Sequence, residues 1–549
     1  MLLTVVPALV AASAGAAERT PWTMVDAKGI RAHVEFLADD LLEGRATASR
    51  GYDLAAAYVA SQFRQNGLAP AMGGESFYQN VPLLEATAVL PGSSAELVLD
   101  DGKVVFEYST HYLPSADFTA ASSTLSAPLA FAGYGVDAPE LDHNDFATVD
   151  VKGRIAIILS GAPAKFPHDQ RAYYSWSTRK WNTLIEHGAV GAVLIDSPVD
   201  AQRVPWERSV AMSWVPQMRW VDDEGKPQNT FPEIKLRFRF NHEAAARLFE
   251  HGEASFAEVL EAAERGDPQG FQLPGLMTLS STTGLRRTQS MNVIALLRGS
   301  DPQLANEYIV LTAHLDHLGR GSAVNGDSIY NGAHDNALGV GILLEMARAL
   351  NLSGARPKRS IVFAALTAEE KGLLGSDYLA EHLPFTGGRI VANLNIDMPM
   401  LFVPTLDFVA LGAQHSTLGT AVRSAVTAQG YQLSEDATPE EVSFIRSDQF
   451  SFIRRGVPSM VLHGGYRSRD STHDAAQMQR DFRRQQYHQP ADDVSLPMDY
   501  AGAADLARIN LRMAIDLANA ATRPRWRPKD FFGEKFGNGP PGTATSASE

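Results

Sequence analysis

From about Met291 onward the chain alternates between short apolar runs and stretches whose apolar positions recur every three or four residues. Val293–Leu297, Tyr308–Thr312 and Ile361–Ala365 are unbroken aliphatic and β-branched runs, the pattern of strands buried on both faces. Between them, Gly339–Leu350 places Val340, Leu343, Leu344 and Ala347 on one helical face. Further strands are predicted at Ile390–Ile396, Phe408–Leu411 and Ser459–His463. A last helix is predicted by the stripe Leu506, Ile509, Met513 and Leu517. Strands that alternate with helices predict an α/β fold, a mostly parallel sheet flanked by helices on both faces. In such sheets ligands collect beyond the carboxyl ends of the strands.

Upstream the pattern differs. The region from Ile30 to Pro70 is helical in period, with Ile30, Val34 and Leu37 on one face and Ala55, Val59 and Phe63 on another. The polar link between them, with Glu43-Gly44-Arg45 and Gly51, suits a turn. Ser94–Phe106 alternates around Asp100-Asp101-Gly102, a hairpin signal. From Leu125 to Gln272 short strands dominate: Leu129–Gly135 runs into a glycine turn, Ile155–Leu159 follows a turn, and Gly188–Ile195 follows the helical Trp181–His187. This stretch predicts an inserted β-rich domain. The division expected is residues 22–124 and 273–522 for one α/β domain and 125–272 for the insert, with a disordered Pro-, Gly-, Ser- and Thr-rich tail over 523–549.

Composition narrows the chemistry. Of 549 residues, 45% are hydrophobic and 20% charged, ordinary for a globular chain. The formal net charge of -15 argues against nucleic acid as a partner. Cysteine is absent, so thiolate metal sites, disulfides and cysteine nucleophiles are excluded. Any metal must be held by His, Asp and Glu. The apolar run Leu2–Ala12 is too short to span a bilayer. With Ala14-Gly15-Ala16 after it, residues 1–17 fit a signal peptide, although a positive leading segment is missing; a secreted or periplasmic protein is expected. No later run has the length and apolarity of a membrane span.

Five positions stand out together. His314 closes one predicted strand, Asp397 follows another, and Glu369-Glu370 follows a third. Asp335 precedes a helix, and His488 sits in the loop Tyr487-His488-Gln489-Pro490-Ala491-Asp492-Asp493. Each has an ordinary explanation alone: a core histidine, a helix cap, a solvated first turn, a turn aspartate, a loop residue. A parallel sheet would gather them at one edge, where carboxylates and imidazoles desolvate one another badly without a cation. Two histidines and three carboxylates, one of them bridging, suit a two-metal site.

The set His314-x-Asp316, Gly332-x-x-Asp335-Asn336-x-x-Gly339, Glu369-Glu370, Asn395-x-Asp397-Met398 and His488-x-Pro490-Ala491-Asp492 resembles the zinc-dependent M28 peptidase family, which includes bacterial aminopeptidases and glutamate carboxypeptidase. Leu42-Glu43-Gly44-Arg45 is similar to the family's N-terminal segment, and the insert resembles its protease-associated domain. The resemblance implies a zinc-exopeptidase fold and two Zn2+ ions per chain. One ion would be held by His314 and Asp397 and the other by Glu370 and His488. Asp335 would bridge them next to a cis peptide to Asn336. It further implies Glu369 as general base and Asp316 as the acceptor that fixes the His314 tautomer. Tyr466 would stabilise the oxyanion, and Arg446 would lie beside substrate. The expected substrates are peptides with a free N-terminus; the carboxypeptidase direction would require an arginine cluster, and although Arg446, Arg454 and Arg467 are available donors the sequence gives no clear cluster. A non-enzymatic binding module on the same scaffold is disfavoured by retention of all five ligands and the base. His317 and His473 are read as surface residues or as partners of a ligand. The chain departs from the family pattern at His334, at Leu338 and in Ser447-Asp448-Gln449.

Overall fold

The computed structural model describes residues 20–537 apart from residues 73, 90, 91 and 386. Its centre is four parallel strands: β1 (Glu307–His314), β2 (Ser360–Leu366), β3 (Arg389–Asn395) and β4 (Ser459–Gly464), in the order β2-β1-β3-β4. Every residue of β1 and β2 is buried, as their unbroken apolar patterns require. The rims are antiparallel. Residues 293–297 pair with β2, and Asp407–Leu411 pairs with β4, so the sheet is mixed. One face is covered by Ala27–Leu37, Arg50–Gln65, α1 (Leu338–Ser353) and α2 (Tyr500–Asn519), which share the main core with the sheet. Leu374–Glu381 and Gln449–Ile453 cover the other face through Leu379, Ala380 and Phe452. The predicted stripe of α2 is entirely buried. Caps fix the helix starts: the Asp26 carboxylate accepts from Lys28 N–H and the Ser49 hydroxyl from Tyr52 N–H.

A second core lies in the inserted module, built from Leu129, Phe131, Ile157, Val193, Phe238 and Phe240 among others. Its connection to the first was not visible in the apolar pattern. Phe271–Leu297 is one strand of 27 residues. Its first part pairs with Ser122–Phe131 and Ser94–Leu99 in the module. Its middle, Thr283–Val293, pairs antiparallel with Tyr78–Ala88. Its end enters the main sheet. The module therefore starts with the hairpin at Ser94, not at residue 125, because a strand's polarity pattern does not reveal which sheet it joins. The hairpin itself forms as predicted, with Leu99 opposite Gly102. Gln217–Trp220 returns from the module to pair with residues 83–86, and Trp220 Nε1 donates to Asp377 at 2.8 Å.

The expectation of disorder after Thr522 fails for residues 523–537. Trp526 bridges to Ser416, Phe531–Phe536 is helical, and Phe532 is fully buried. Four aromatics interspersed in this polar stretch provide the burial that its average composition hides. The remainder of the tail and the export-signal segment 1–17 lie outside the described residues. No helix among the described residues is long and apolar enough to cross a membrane.

Candidate metal centre

The parallel register brings the predicted residues to one edge. His314 ends β1 opposite Leu366 of β2, and Asp397 follows β3 by two residues. Their side chains meet: His314 Nε2 lies 3.1 Å from Asp397 Oδ1 and 3.1 Å from Asp335 Oδ1. The other oxygen of Asp335 faces the second half of the site, 3.3 Å from His488 Nε2, which is itself 3.1 Å from Glu370 Oε2. Asp335 thus stands between the pair His314–Asp397 and the pair His488–Glu370. The Asp335–Asn336 peptide is cis.

A third imidazole belongs to the second half. His317 is fully buried, with Nδ1 2.8 Å from Glu370 Oε1 and 3.8 Å from Asp335 Oδ2. Neither its ring nitrogens nor Glu370 Oε1 has a hydrogen-bond partner among the described residues. Sequence reasoning missed this role; its signal was a histidine one residue beyond the His314-x-Asp316 pair. His473 is exposed beside Asp470, as read.

This donor set fits divalent cations. His314 Nδ1 faces only the backbone carbonyl of Asp316, at 3.0 Å, so it carries the proton and donates. Nε2 then turns its lone pair on two carboxylates, a repulsive arrangement unless a proton or a cation intervenes. Without a cation, burial opposes charge on His314, yet Asp397, Glu369 and Asp335 hold its pKa well above the usual value. His488 is likewise pushed up to about 9 against burial, chiefly by Glu370 and Asp335. Cations bound between these groups would take the place of those protons. Two triads with ligand atoms mutually close, His314–Asp335–Asp397 and His317–Asp335–Glu370, could each hold an ion.

The supporting residues explain the motifs. Asp316 makes no hydrogen bond to His314 through its carboxylate, which is 4.0 Å from Nδ1. One carboxylate oxygen accepts from the Thr47 hydroxyl at 2.8 Å and the other from Glu369 N–H at 3.1 Å, so Asp316 sets the Glu369 backbone instead. Asp492, the end of the His488 motif, accepts from His334 N–H at 2.8 Å and Asp335 N–H at 3.0 Å. Asn336 donates to the Ile396 carbonyl at 2.8 Å and accepts from Gly339 N–H at 3.1 Å, tying α1 to the Asp397 segment. A Cβ on Gly339 would come within 2.1 Å of Asn336 Oδ1 and 2.6 Å of Ile396 O, so only glycine permits this approach. His334 stacks on Phe402 and accepts from Met400 N–H at 2.9 Å; burial lowers its pKa to about 3 and it stays neutral, a packing residue.

Arg45 is the deepest support. Its side chain is 1% exposed and donates to the carbonyls of Leu315 (2.9 Å), Asn331 (2.7 Å), Gly332 (3.1 Å) and Leu37. The Leu315 carbonyl adjoins His314, those of Asn331 and Gly332 lead into Asp335, and that of Leu37 ends the helix Ala27–Leu37. Burial lowers its pKa to about 10, partly offset by Asp492 and Asp316, so it remains a cation. Gly44 at φ 69° makes the turn possible: a Cβ there would meet Tyr330 O at 2.4 Å.

Glu369 faces a cavity of about 350 Å³ together with Asp335, Asp397, His463, Arg446 and His488. Burial, with Asp397 and Glu370 nearby, pushes its carboxyl well above the usual range although His314 acts in the opposite sense. Arg446, expected beside substrate, lines this cavity. Tyr466 is not: its hydroxyl turns to Asp436 at 3.4 Å, while Tyr487, stacked on His488 with ring centroids 3.8 Å apart, lines the cavity. Arg454 bonds Asp377 and Arg467 bonds Gln432, so neither serves the cavity.

The model of Peptidase family M28 matches residues 292–514, the segment that holds all five candidate ligands and Glu369. Residues 292–514 are an M28 peptidase domain. A probable zinc metalloprotease of Pyrenophora teres f. teres (strain 0-1) is 29% identical over 264 residues, 43% of this chain and 53% of its own length. A glutamate carboxypeptidase 2 homolog of Caenorhabditis elegans is 27% identical over 325 residues, 49% of this chain and 38% of its own. The chain spans about half or less of the length of these relatives. The solved aminopeptidase from Aneurinibacillus sp. strain AM-1 shares the fold over 94% of this chain and 97% of its own, with a TM-score of 0.53 at 18% identity. That alignment runs through the inserted module as well as the M28 domain.

Proposed function

We propose that the chain is a two-zinc aminopeptidase that removes N-terminal residues from peptides, with Glu369 as general base. The observation that carries this reading is the position of Asp335, one oxygen toward His314 and Asp397 and the other toward His488 and Glu370. Zinc held by these five residues would polarise the scissile carbonyl and acidify the attacking water. Glu369 accepts a proton from that water at its carboxylate. As the water oxygen bonds to the carbonyl carbon and the C–N bond breaks, Glu369 returns the proton to the leaving nitrogen. Asp316 keeps Glu369 in place through its backbone N–H. The His314 tautomer, fixed by the Asp316 carbonyl, leaves Nε2 free to ligate. The inserted module, in the role of a protease-associated domain, roofs the cleft with Arg203, Arg208 and Arg239.

The test compares leucine anilide with N-acetylated peptides that have a free C-terminus. Hydrolysis of the anilide supports the aminopeptidase direction; turnover of the acetylated peptides alone overturns it in favour of a carboxypeptidase. Glu369→Gln should keep its zinc and lose about 10²–10⁴-fold in kcat. A fully active variant would remove Glu369 from the mechanism.

A further inference from the structure

The cavity over the metal ligands is rich in arginine. Arg203, Arg208 and Arg239 come from the inserted module, and Arg446 and Arg483 from the M28 domain. Three of these five have carboxylate partners. Arg239 grips Asp196 with Nε at 2.9 Å, Arg203 reaches Asp200 at 2.6 Å, and Arg446 faces Glu441 at 3.6 Å. The other two do not. Arg208 donates to the Tyr487 carbonyl and lies 5.9 Å from the Tyr487 ring centre, with no carboxylate within ion-pair distance among the described residues. Arg483 makes no hydrogen bond or ion pair among the described residues, although the helix that carries it, Ala475–Gln485, leads directly into Tyr487 and His488.

Charge accounting gives this pair a meaning. The acidic groups at the floor, Asp335, Glu369, Glu370 and Asp397, would be balanced by two divalent cations. The loaded cavity then keeps two guanidinium groups without a counter-ion. A partly desolvated cation is costly when unpaired, and a guanidinium in a cleft is suited to a carboxylate. The cavity's volume of about 350 Å³ is at the small end for ligand pockets.

We infer that the cleft selects dipeptides and tripeptides whose free C-terminal carboxylate docks on Arg483, with Arg208 beside it. The inference rests on the aminopeptidase reading and refines it: the α-amino end lies toward the acidic floor and the carboxylate end toward the arginine pair. Arg483 is then a specificity residue, supplied next to the metal loop, while the inserted module supplies the second guanidinium.

The experiment uses the full-length zinc-loaded protein with Leu-Gly, Leu-Gly-Gly, their C-terminal amides, leucine anilide and acetyl-Leu-Gly. The free acids should exceed their amides by about tenfold or more in kcat/KM, mainly through KM, since a charge-assisted hydrogen bond is lost in the amide. The preference should fall as salt is raised. In Arg483→Ala the acid-to-amide ratio should approach one, and Arg483→Lys should recover part of it. If the anilide is cleaved but the wild type treats acid and amide alike, the inference fails and the aminopeptidase reading stands. A ratio unchanged in Arg483→Ala removes Arg483 from the role. Cleavage of acetyl-Leu-Gly alone overturns the aminopeptidase reading and the inference with it. The wild-type ratio needs no variant, so a folding defect in Arg483→Ala cannot mask the result.

Discussion

Replacing Arg45 by methionine isolates what a single buried guanidinium does for the centre. The methionine stem fills much of the same volume but donates nothing. Four carbonyls lose this donor in a space closed to solvent; that of Gly332 keeps the Ala337 N–H at 3.1 Å, and those of Leu37, Leu315 and Asn331 are left with none among the described residues. An unsatisfied buried acceptor costs about 1–3 kcal/mol. Even at the lower bound, three of them sum to about 3 kcal/mol, a large share of the 5–15 kcal/mol typical of a folded domain. The charge also matters: Asp492, Asp316, Asp335 and Glu370 all lie close enough to act on Arg45, so the variant makes the acidic floor more negative. Guanidinium titration followed by circular dichroism should show the loss, and it should be greater after chelation, when no cation offsets the floor. Arg45→Lys should recover only part, since an ammonium lacks the planar fork that spans these carbonyls. If Arg45→Met unfolds within about 1 kcal/mol of wild type, the carbonyls have found other donors and the buttress argument is wrong.

Two further outcomes follow from the same structure. Asp377 accepts from Trp220, Arg454 and Arg455 at 2.7–2.9 Å; burial opposes its charge, but the two arginines hold its pKa at about 2. Its folded pKa lies below the ordinary 3.8, so its stabilisation is complete above about pH 4 and is lost as pH falls toward 2. Asp377→Asn should cost about 3–5 kcal/mol at neutral pH and flatten that acid limb; an unchanged limb in urea titrations would refute the assignment. His317→Ala should weaken zinc retention at the Glu370 side by about 10–100-fold in chelator competition, and equal retention would show that this imidazole only fills space.

The residues of the candidate metal centre were legible because each falls at a strand end or in a short motif, and the parallel order of β2, β1 and β3 does the gathering. The buried strands were legible for the same reason: β1 and β2 admit no polar face. What the residues could not show was which atom of a residue acts. Asp316 uses its carbonyl on His314 and spends its carboxylate on Thr47 and Glu369, a division that only backbone geometry decides. Tyr466 and Tyr487 are both tyrosines near a motif, and the turn after β4 sends the first toward Asp436. The arginine lining was hidden because its members come from distant segments, residues 203–239 and 446–483, brought together when the module folds back. The strand Phe271–Leu297 escaped because its polar middle, Ser280–Ser290, pairs in a ribbon that needs no apolar face.

That ribbon has a further consequence. Thr283–Val293 and Tyr78–Ala88 are paired residue for residue over their whole shared length, and the same strand is stitched into a sheet at each end. Floor and roof are therefore mounted on one frame, like the jaws of a fixed caliper. The register of the ribbon, one residue pair after another, fixes how far along the shared strand the module's sheet lies from the main sheet. In such an instrument the size of what is measured is written into the frame.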